Sequence, residues 1–229
     1  MHNLLSIALL PVVLTLTAFF LGQQLQKKLK SPLLNPILIA VILVLLFLGI
    51  TGISVKTYQS GMSSLSWLLT PATICLAISF YEQFKAMRQH LVAIFLGVVL
   101  GSVCCVGSIY IAGKLFGFDR VMILSLLPKS ITNAIGVALS TEIGGIAAIT
   151  TAGIAVTGTF GNIAGAAICR LFRIEHPIAM GVAFGTASHV IGTAKAGELH
   201  QLAGAVGSFS LTTAGLLTAL TLSFLSQYL

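Results

Sequence analysis

Apolar runs of about twenty residues alternate with short charged or glycine-rich joints along the whole chain, at about 4–22, 33–52, 62–81, 91–113, 145–169 and 203–225. A bilayer's hydrocarbon core is about 30 Å thick, and a helix crosses it in roughly 20 residues. The pattern therefore predicts six spanning helices. Two further stretches, 122–143 and 178–198, are apolar but rich in Gly, Ser and Thr, and both carry charge. Each reads either as a poor full span or as a segment that breaks and turns back.

Charge placement favours the second reading. If the N-terminus faces out and both stretches return to their starting side, Lys27, Lys28, Lys30, Lys85, Arg88, Arg170 and Arg173 are cytoplasmic, while Lys56, Lys114 and Arg120 are outside. If both stretches cross fully, the sides carry equal numbers. Only the returning version follows the positive-inside rule.

An internal match points the same way. Ile135-Gly136-Val137-Ala138, followed by Glu142-Ile143, recurs 56 residues later as Ile191-Gly192-Thr193-Ala194, followed by Glu198-Leu199. A polar cluster precedes each copy: Lys129-Ser130-Ile131-Thr132-Asn133 in one, Thr186-Ala187-Ser188-His189 in the other. One apolar span follows each. A single crossing between the copies inverts the second relative to the first, as in secondary transporters whose interrupted helices meet at mid-bilayer.

Composition narrows the class. Of 229 residues, 57% are hydrophobic and 7% charged, against about a quarter charged in soluble domains. That is too little charge to cover a water-facing surface. The formal charge of +7 is scattered between apolar runs, which argues against a nucleic-acid partner. Cys75, Cys104, Cys105 and Cys169 lie in or beside apolar spans without CxxC pairing and read as small hydrophobes. The first run lacks a basic leader and a small-residue cleavage pattern, so it reads as a retained span. No P-loop, HExxH or plausible Ser-His-Asp order is present. The chain is expected to be no enzyme and to need no cofactor or metal.

Broken backbone survives in lipid only around protein or a watery cavity, and ionisable residues there point to function. Pro128 interrupts a helix. Lys129, Ser130, Thr132 and Asn133 then surround a fresh helix N-terminus, whose free N–H groups attract anions. Thr186, Ser188, His189, Thr193 and Lys195 are the counterparts in the second stretch. Pro71 and Thr73 repeat the Pro-x-Ser/Thr pattern of Pro128 and Ser130 in the third span and mark a third candidate break. These twelve residues are the candidate substrate-binding set, and Glu142, Glu198 and His189 are the candidates for carrying a coupling proton. Lys129 and Lys195 also read as snorkelling cations, and Glu142 and Glu198 as interfacial helix ends. Gly158, Gly161 and Gly165 read as helix-packing contacts.

The segments "SPLLNPILIA" (31–40), "TGISVKTYQSG" (51–61), "LLTPATICLAISFYEQ" (68–83), "LLPKSITNAIGVA" (126–138), "EIGGIAAIT" (142–150) and "GTASHVIGTAKAGEL" (185–199) together resemble the LrgB/CidB family. That family is similar to the carboxy-terminal half of the plastidial glycolate/glycerate translocator. The resemblance implies a bacterial inner-membrane protein working with a small LrgA/CidA-type membrane partner. It offers two functions: transport of small hydroxy- and keto-acids such as pyruvate, glycolate or 3-hydroxypropionate, and holin- or antiholin-like regulation of murein hydrolase export and lysis. The chain departs from the family pattern at Lys195, where Arg is frequent, and an ammonium lacks the bidentate geometry of a guanidinium.

The resulting expectation is an all-α integral membrane protein with roughly six to eight transmembrane segments. Two or three interrupted or re-entrant helices form inverted repeats, as in an elevator transporter. Residues 1–229 are expected to make one membrane domain, with 1–60 and 91–120 as scaffold and 62–83, 121–169 and 178–225 as transport core. The first functional reading is a secondary transporter of small monocarboxylates, with a small organic anion as ligand and a homodimer as the assembly. The alternative is the lysis regulator.

Overall fold

The computed structural model describes residues 2–29, 36–62, 68, 71, 78, 81–82, 84–85 and 87–228. Among them the ordered structure is helical, without strands. The third apolar run falls almost wholly outside the described residues, as does Thr73. Pro71 is described and exposed. The chain divides into two compact units, Met1–Cys75 and Leu76–Leu229.

The first unit holds α1 (His2–Leu29), α2 (Pro36–Thr51) and α3 (Val55–Gly61). Helix α2 is apolar on every side, the mark of a helix in a membrane or deep core. It packs on α1 through Ala18, Ala40, Val44 and Leu48. Pro11 removes one backbone donor inside α1, and the Thr15 hydroxyl donates to the Pro11 carbonyl at 2.6 Å. Ser54 caps α3 by accepting from the Thr57 N–H at 3.1 Å.

The second unit contains three long helices: α4 (Leu91–Leu115), α7 (Ala147–Leu171) and α9 (Gln201–Leu225). Between them lie two interrupted segments. The first is α5 (Arg120–Leu126), a 3-10 turn (Leu127–Ser130) and α6 (Asn133–Glu142); the second is α8 (Pro177–Leu199). In the first, the backbone leaves helical values at Pro128 and is extended at Ile131 (φ −102°, ψ 177°) and Thr132 (φ −62°, ψ 146°). In α8 the break falls at Ser188 (φ −134°, ψ 19°) and His189 (φ 42°, ψ −140°).

Contacts on both sides of each break show that the chain doubles back. Along residues 177–187, Gly181 lies against Ala203 and Val206, and Gly185 against Gly207 and Ser210, so this arm runs parallel to α9. Beyond the break, Thr193 lies against Gly207 and Gly197 against Gly204, so the second arm runs antiparallel to α9. Helix α8 is therefore a hairpin. The first segment folds likewise. The Thr150 hydroxyl donates to the Ser125 carbonyl at 2.7 Å and sits 2.6 Å from the Ser140 hydroxyl, clasping the two arms.

The arms close on one another by the same device in both hairpins. A Cβ at Gly136 would stand 3.2 Å from the carbonyl oxygen of Pro128, eight residues earlier; a Cβ at Gly192 would stand 3.2 Å from that of Phe184, also eight residues earlier. A side chain at either position would press on the opposing carbonyl, and glycine lets the returning arm approach without this. The 56-residue repeat is thus a repeat of packing as well as of letters.

The hairpins start from opposite ends of the unit. The Arg120 guanidinium donates to the Ser226 carbonyl at 2.9 Å, and the Ser223 hydroxyl donates to Glu142 Oε1 at 3.4 Å. Both ends of the first hairpin therefore lie beside the end of α9. The second hairpin begins at the other end, where the His176 ring meets His90 edge-on, centroids 6.2 Å apart. Among the described residues, four helical stretches are long and apolar enough to cross a membrane: Leu9–Lys28, Arg88–Leu115, Ala147–Leu171 and Gln201–Leu225; Pro36–Thr51 is apolar but shorter. Leu100, Val156, Phe160, Leu220 and Phe224 point outward from the three long helices of the second unit. Lipid is as apolar as such side chains, so burial drives helix association weakly there. Close approach of small residues and hydrogen bonds of about 0.6–2 kcal/mol hold the helices together.

Candidate functional site

One turn of α7 receives both hairpin turns. Ile154 is buried, and its carbonyl oxygen lies 2.8 Å from Nε2 of His189, in the second hairpin. Its Cδ1 lies 2.8 Å from where a Cβ of Gly136, in the first hairpin, would stand. Next to it, Gly153 lies against Leu126 and the Cβ of Lys129. One turn further on, Gly158 lies under the His189 ring, and two turns on, Gly161 lies against Ser188. The Asn162 amide donates to the Ile191 carbonyl at 3.4 Å.

The other long helices meet the turns near their own midpoints. On α4, Gly101 lies against Thr186, and the Cys105 thiol is 3.8 Å from the Thr186 carbonyl. On α9, Gly215 lies against Ile135. The two breaks therefore converge at half the length of the second unit.

His189 is held there under strain. A non-glycine residue at positive φ costs about 1–3 kcal/mol when the rest of the residue gains nothing. Here the ring's bond to Ile154 and its seat over Gly158 hold the conformation. Ser188 and His189 are 6% and 4% exposed. The first turn is more open. Ser130 is buried and Thr132 half-buried, while Asn133 and Ala134 are exposed. Thr132 precedes α6 without a side-chain cap bond, leaving the helix's first N–H groups available. Lys129 is half-buried, donates to the Ser130 hydroxyl at 3.2 Å, and lies within electrostatic reach of His189.

The structure thus gathers Pro128, Lys129, Ser130, Thr132 and Asn133 at one turn and Thr186, Ser188 and His189 at the other. Thr193 stands one turn beyond, 2% exposed against Gly207. Lys195 is not brought to the turns. It pairs with Glu198 at 2.7 Å, the two side chains being 29% and 65% exposed. Glu142 is exposed and bonded to Ser223. Pairs three residues apart on a helix face each other, which accounts for Lys195 and Glu198 satisfying one another at the surface. Gly158, Gly161 and Gly165 do pack closely, against His189, Ser188 and Phe184. Among the described residues no three His, Cys, Asp or Glu side chains gather as a metal site.

Other groups at this level left no signal in the sequence. The Ile154 carbonyl is backbone and has no letter of its own. The buried hydroxyls of Ser102 and Ser210, like that of the sequence candidate Thr193, have no hydrogen-bond partner in the described structure. Most helical Ser and Thr here donate to a carbonyl one turn back, as Thr186 does to Val182 and Ser208 to Gly204. A cavity of about 480 Å³ runs along the first hairpin's return arm, from Ala134 at the turn to Glu142 at the end of the unit, with Ala219, Ser223 and Phe224 of α9 opposite.

Long apolar helices, two opposed hairpins and a buried polar meeting point define a multi-pass helical membrane protein. The LrgB-like family matches residues 15–228, and the chain belongs to it. It is similar to the holin-like protein CidB of Staphylococcus epidermidis, 35% identical over 218 residues and covering 95% of each chain. The holin-like protein CidB of Staphylococcus aureus is 34% identical over the same length and coverage. The antiholin-like protein LrgB of Bacillus mycoides is 33% identical over 219 residues, again 95% of each chain. No solved structure matches. With these bacterial relatives, the chain is a multi-pass bacterial membrane protein.

Proposed function

We propose that this protein serves in the cell as a holin-like or antiholin-like regulator of murein hydrolase export and lysis, and that its molecular act is to carry a small organic anion across the inner membrane. The relatives' names support the first part, which was the second of the two readings drawn from the sequence. The geometry supports the second part: two opposed hairpin turns meet on one turn of α7 at half-depth. A lysis effect then follows from altered organic-acid flux.

In this reading α4, α7 and α9 cross the membrane and the two hairpins re-enter from opposite sides. The end bearing Arg88, Arg170 and Arg173 faces the cytoplasm. The helices of the first unit supply further spans, and the assembly is a homodimer working with an LrgA/CidA-type partner. Lys129, Ser130, Thr132, Asn133, Thr186 and Ser188 hold a monocarboxylate, with Thr193 beside them. Of the three coupling candidates, only His189 is at the turns, so a coupling proton is assigned to it. Movement of the hairpins against the crossing helices, elevator-like, would alternate access.

Uptake of radiolabelled pyruvate and glycolate into proteoliposomes, with and without the partner, tests the molecular act. Equal uptake by wild type and a Thr132→Ala/Ser188→Ala double variant would overturn the site. Autolysis of a deletion strain carrying either form tests the cellular role. Restoration by the wild type alone ties lysis to the site, whereas restoration by both separates the two.

A further inference from the structure

The first hairpin leaves two opposite charges near each other at one end of the second unit. Arg120 opens α5 and donates to the Ser226 carbonyl at 2.9 Å; Glu142 closes α6 and accepts from the Ser223 hydroxyl at 3.4 Å. Those two anchors are three residues apart on the chain, less than one helical turn. Yet Arg120 and Glu142 do not pair with each other: among the described residues the ion pair is that of Lys195 with Glu198. Both are exposed. The Arg120 bond uses one of the guanidinium's five N–H donors, and the Ser223 bond touches one of the carboxylate's two oxygens. Asp119, next to Arg120, is turned to its own helix and accepts from the Met122 N–H at 2.8 Å. Beside this pair opens the cavity of about 480 Å³, whose polar lining, Glu142 and Ser223, lies at its mouth. Deeper in, Ala134 and Ala138 of α6 and Ala219 of α9 line it, too small to fill the gap. Leu220 and Phe224 on its rim are 63% and 73% exposed. From Ala134 to Glu142 the helical wall is about 12 Å long at 1.5 Å per residue, close to the roughly 15 Å of one leaflet's hydrocarbon.

We infer that this groove holds one bilayer phospholipid with an ethanolamine head group, its acyl chain along α6 and α9, its phosphate on Arg120 and its ammonium on Glu142. A guanidinium matches a phosphate with paired N–H bonds. An ammonium has three hydrogens to donate, and a carboxylate accepts them. A trimethylated choline head has none to give and gains no such bond here. A head group of net negative charge sets a second anion against Glu142 and Asp119, which like-charge repulsion disfavours. The mixed pair thus selects a zwitterion with a primary amine. This assignment is independent of what crosses at the two turns, and it gives the open side of Glu142 a partner.

The test is native mass spectrometry of the full-length protein, delipidated in detergent and then given phosphatidylethanolamine, phosphatidylcholine and phosphatidylglycerol with the same acyl chains. Wild type is expected to retain one ethanolamine lipid with about tenfold preference over either of the others, the difference that one charged hydrogen bond makes. Glu142→Gln keeps the shape and removes the charge, and should bring the ethanolamine and choline lipids within about twofold of each other. Ala138→Leu fills the groove and should lower retention of all three. Should either variant fail to fold, the other variant and the wild-type ranking still decide. Equal retention of the three lipids by wild type, or none at all, overturns the inference. So does a preference for the glycerol lipid, an ethanolamine preference that survives Glu142→Gln, or unchanged retention in Ala138→Leu. A lipid-free dimer that Ala138→Leu abolishes also overturns it and gives the groove to a second copy of the chain.

Discussion

The two hairpins share a frame and differ in what they seal. Both turn back near the same point of a 56-residue repeat, and both close their arms on a glycine eight residues past an opposing carbonyl. Yet the first turn ends in exposed Asn133 and half-buried Lys129, whereas the second buries Ser188 and His189. The returning arm of the first borders an open cavity, and its arms are clasped by three hydroxyl-bearing residues, Ser125, Ser140 and Thr150. At the equivalent level of the second, Gly181 simply lies against Val206. A duplicated scaffold thus clasps the arms of one hairpin by hydrogen bonds and packs those of the other, whose turn is bonded to α7 through His189 and Ile154. The polar chemistry is divided: a half-buried cation and an uncapped helix start on one side, a buried imidazole bonded to the Ile154 carbonyl on the other.

Substitutions at matched positions can break this contrast. The largest effect is expected from Gly161→Val, whose added side chain meets Ser188. Overpacking costs typically 1–3 kcal/mol, and the upper end is expected here, read as a lowered midpoint in thermal unfolding of detergent-solubilised protein. An unchanged midpoint would mean the second turn is not seated on α7. Next comes Thr150→Val, which keeps the shape and leaves the Ser125 and Ser140 groups without their bridge. Its cost is expected at about 1–2 kcal/mol by the same assay.

His189→Ala and Asn133→Ala probe the two turns directly. The first loses a buried bond and is expected to cost about 1 kcal/mol. The second is exposed and should stay within about 0.5 kcal/mol, while lowering anion uptake if the first turn is the donor side. Equal destabilisation by both would erase the difference between sealed and open turns. The smallest effect belongs to Lys195→Gln. Its pair with Glu198 lies at the surface, where such pairs contribute about 0–1 kcal/mol, and uptake should not change. A large loss of uptake would return Lys195 to the site.

Both breaks were legible in the sequence for a physical reason. A broken helix is tolerated in lipid only where it is surrounded by protein or water, and the residues at the two breaks, Pro128, Ser130, Thr132, Ser188 and His189, stand out against an apolar background. The repeated glycines were legible as letters, but not their purpose, since closeness between arms is a property of the folded pair. The positions of Lys195, Glu142 and Glu198 were not fixed by pattern. A charge in a polar cluster reads the same whether it turns inward or finds a neighbour three residues away. Ser102 and Ser210 were invisible because a lone serine in an apolar helix carries no periodic signal. The Ile154 carbonyl was beyond any reading of side chains.

Ile154 carries one further consequence. A single helical turn that bears on both loops acts as a fulcrum, with one loop on each flank. Whatever displaces that turn is therefore felt at both loops at once, with no intermediary between them.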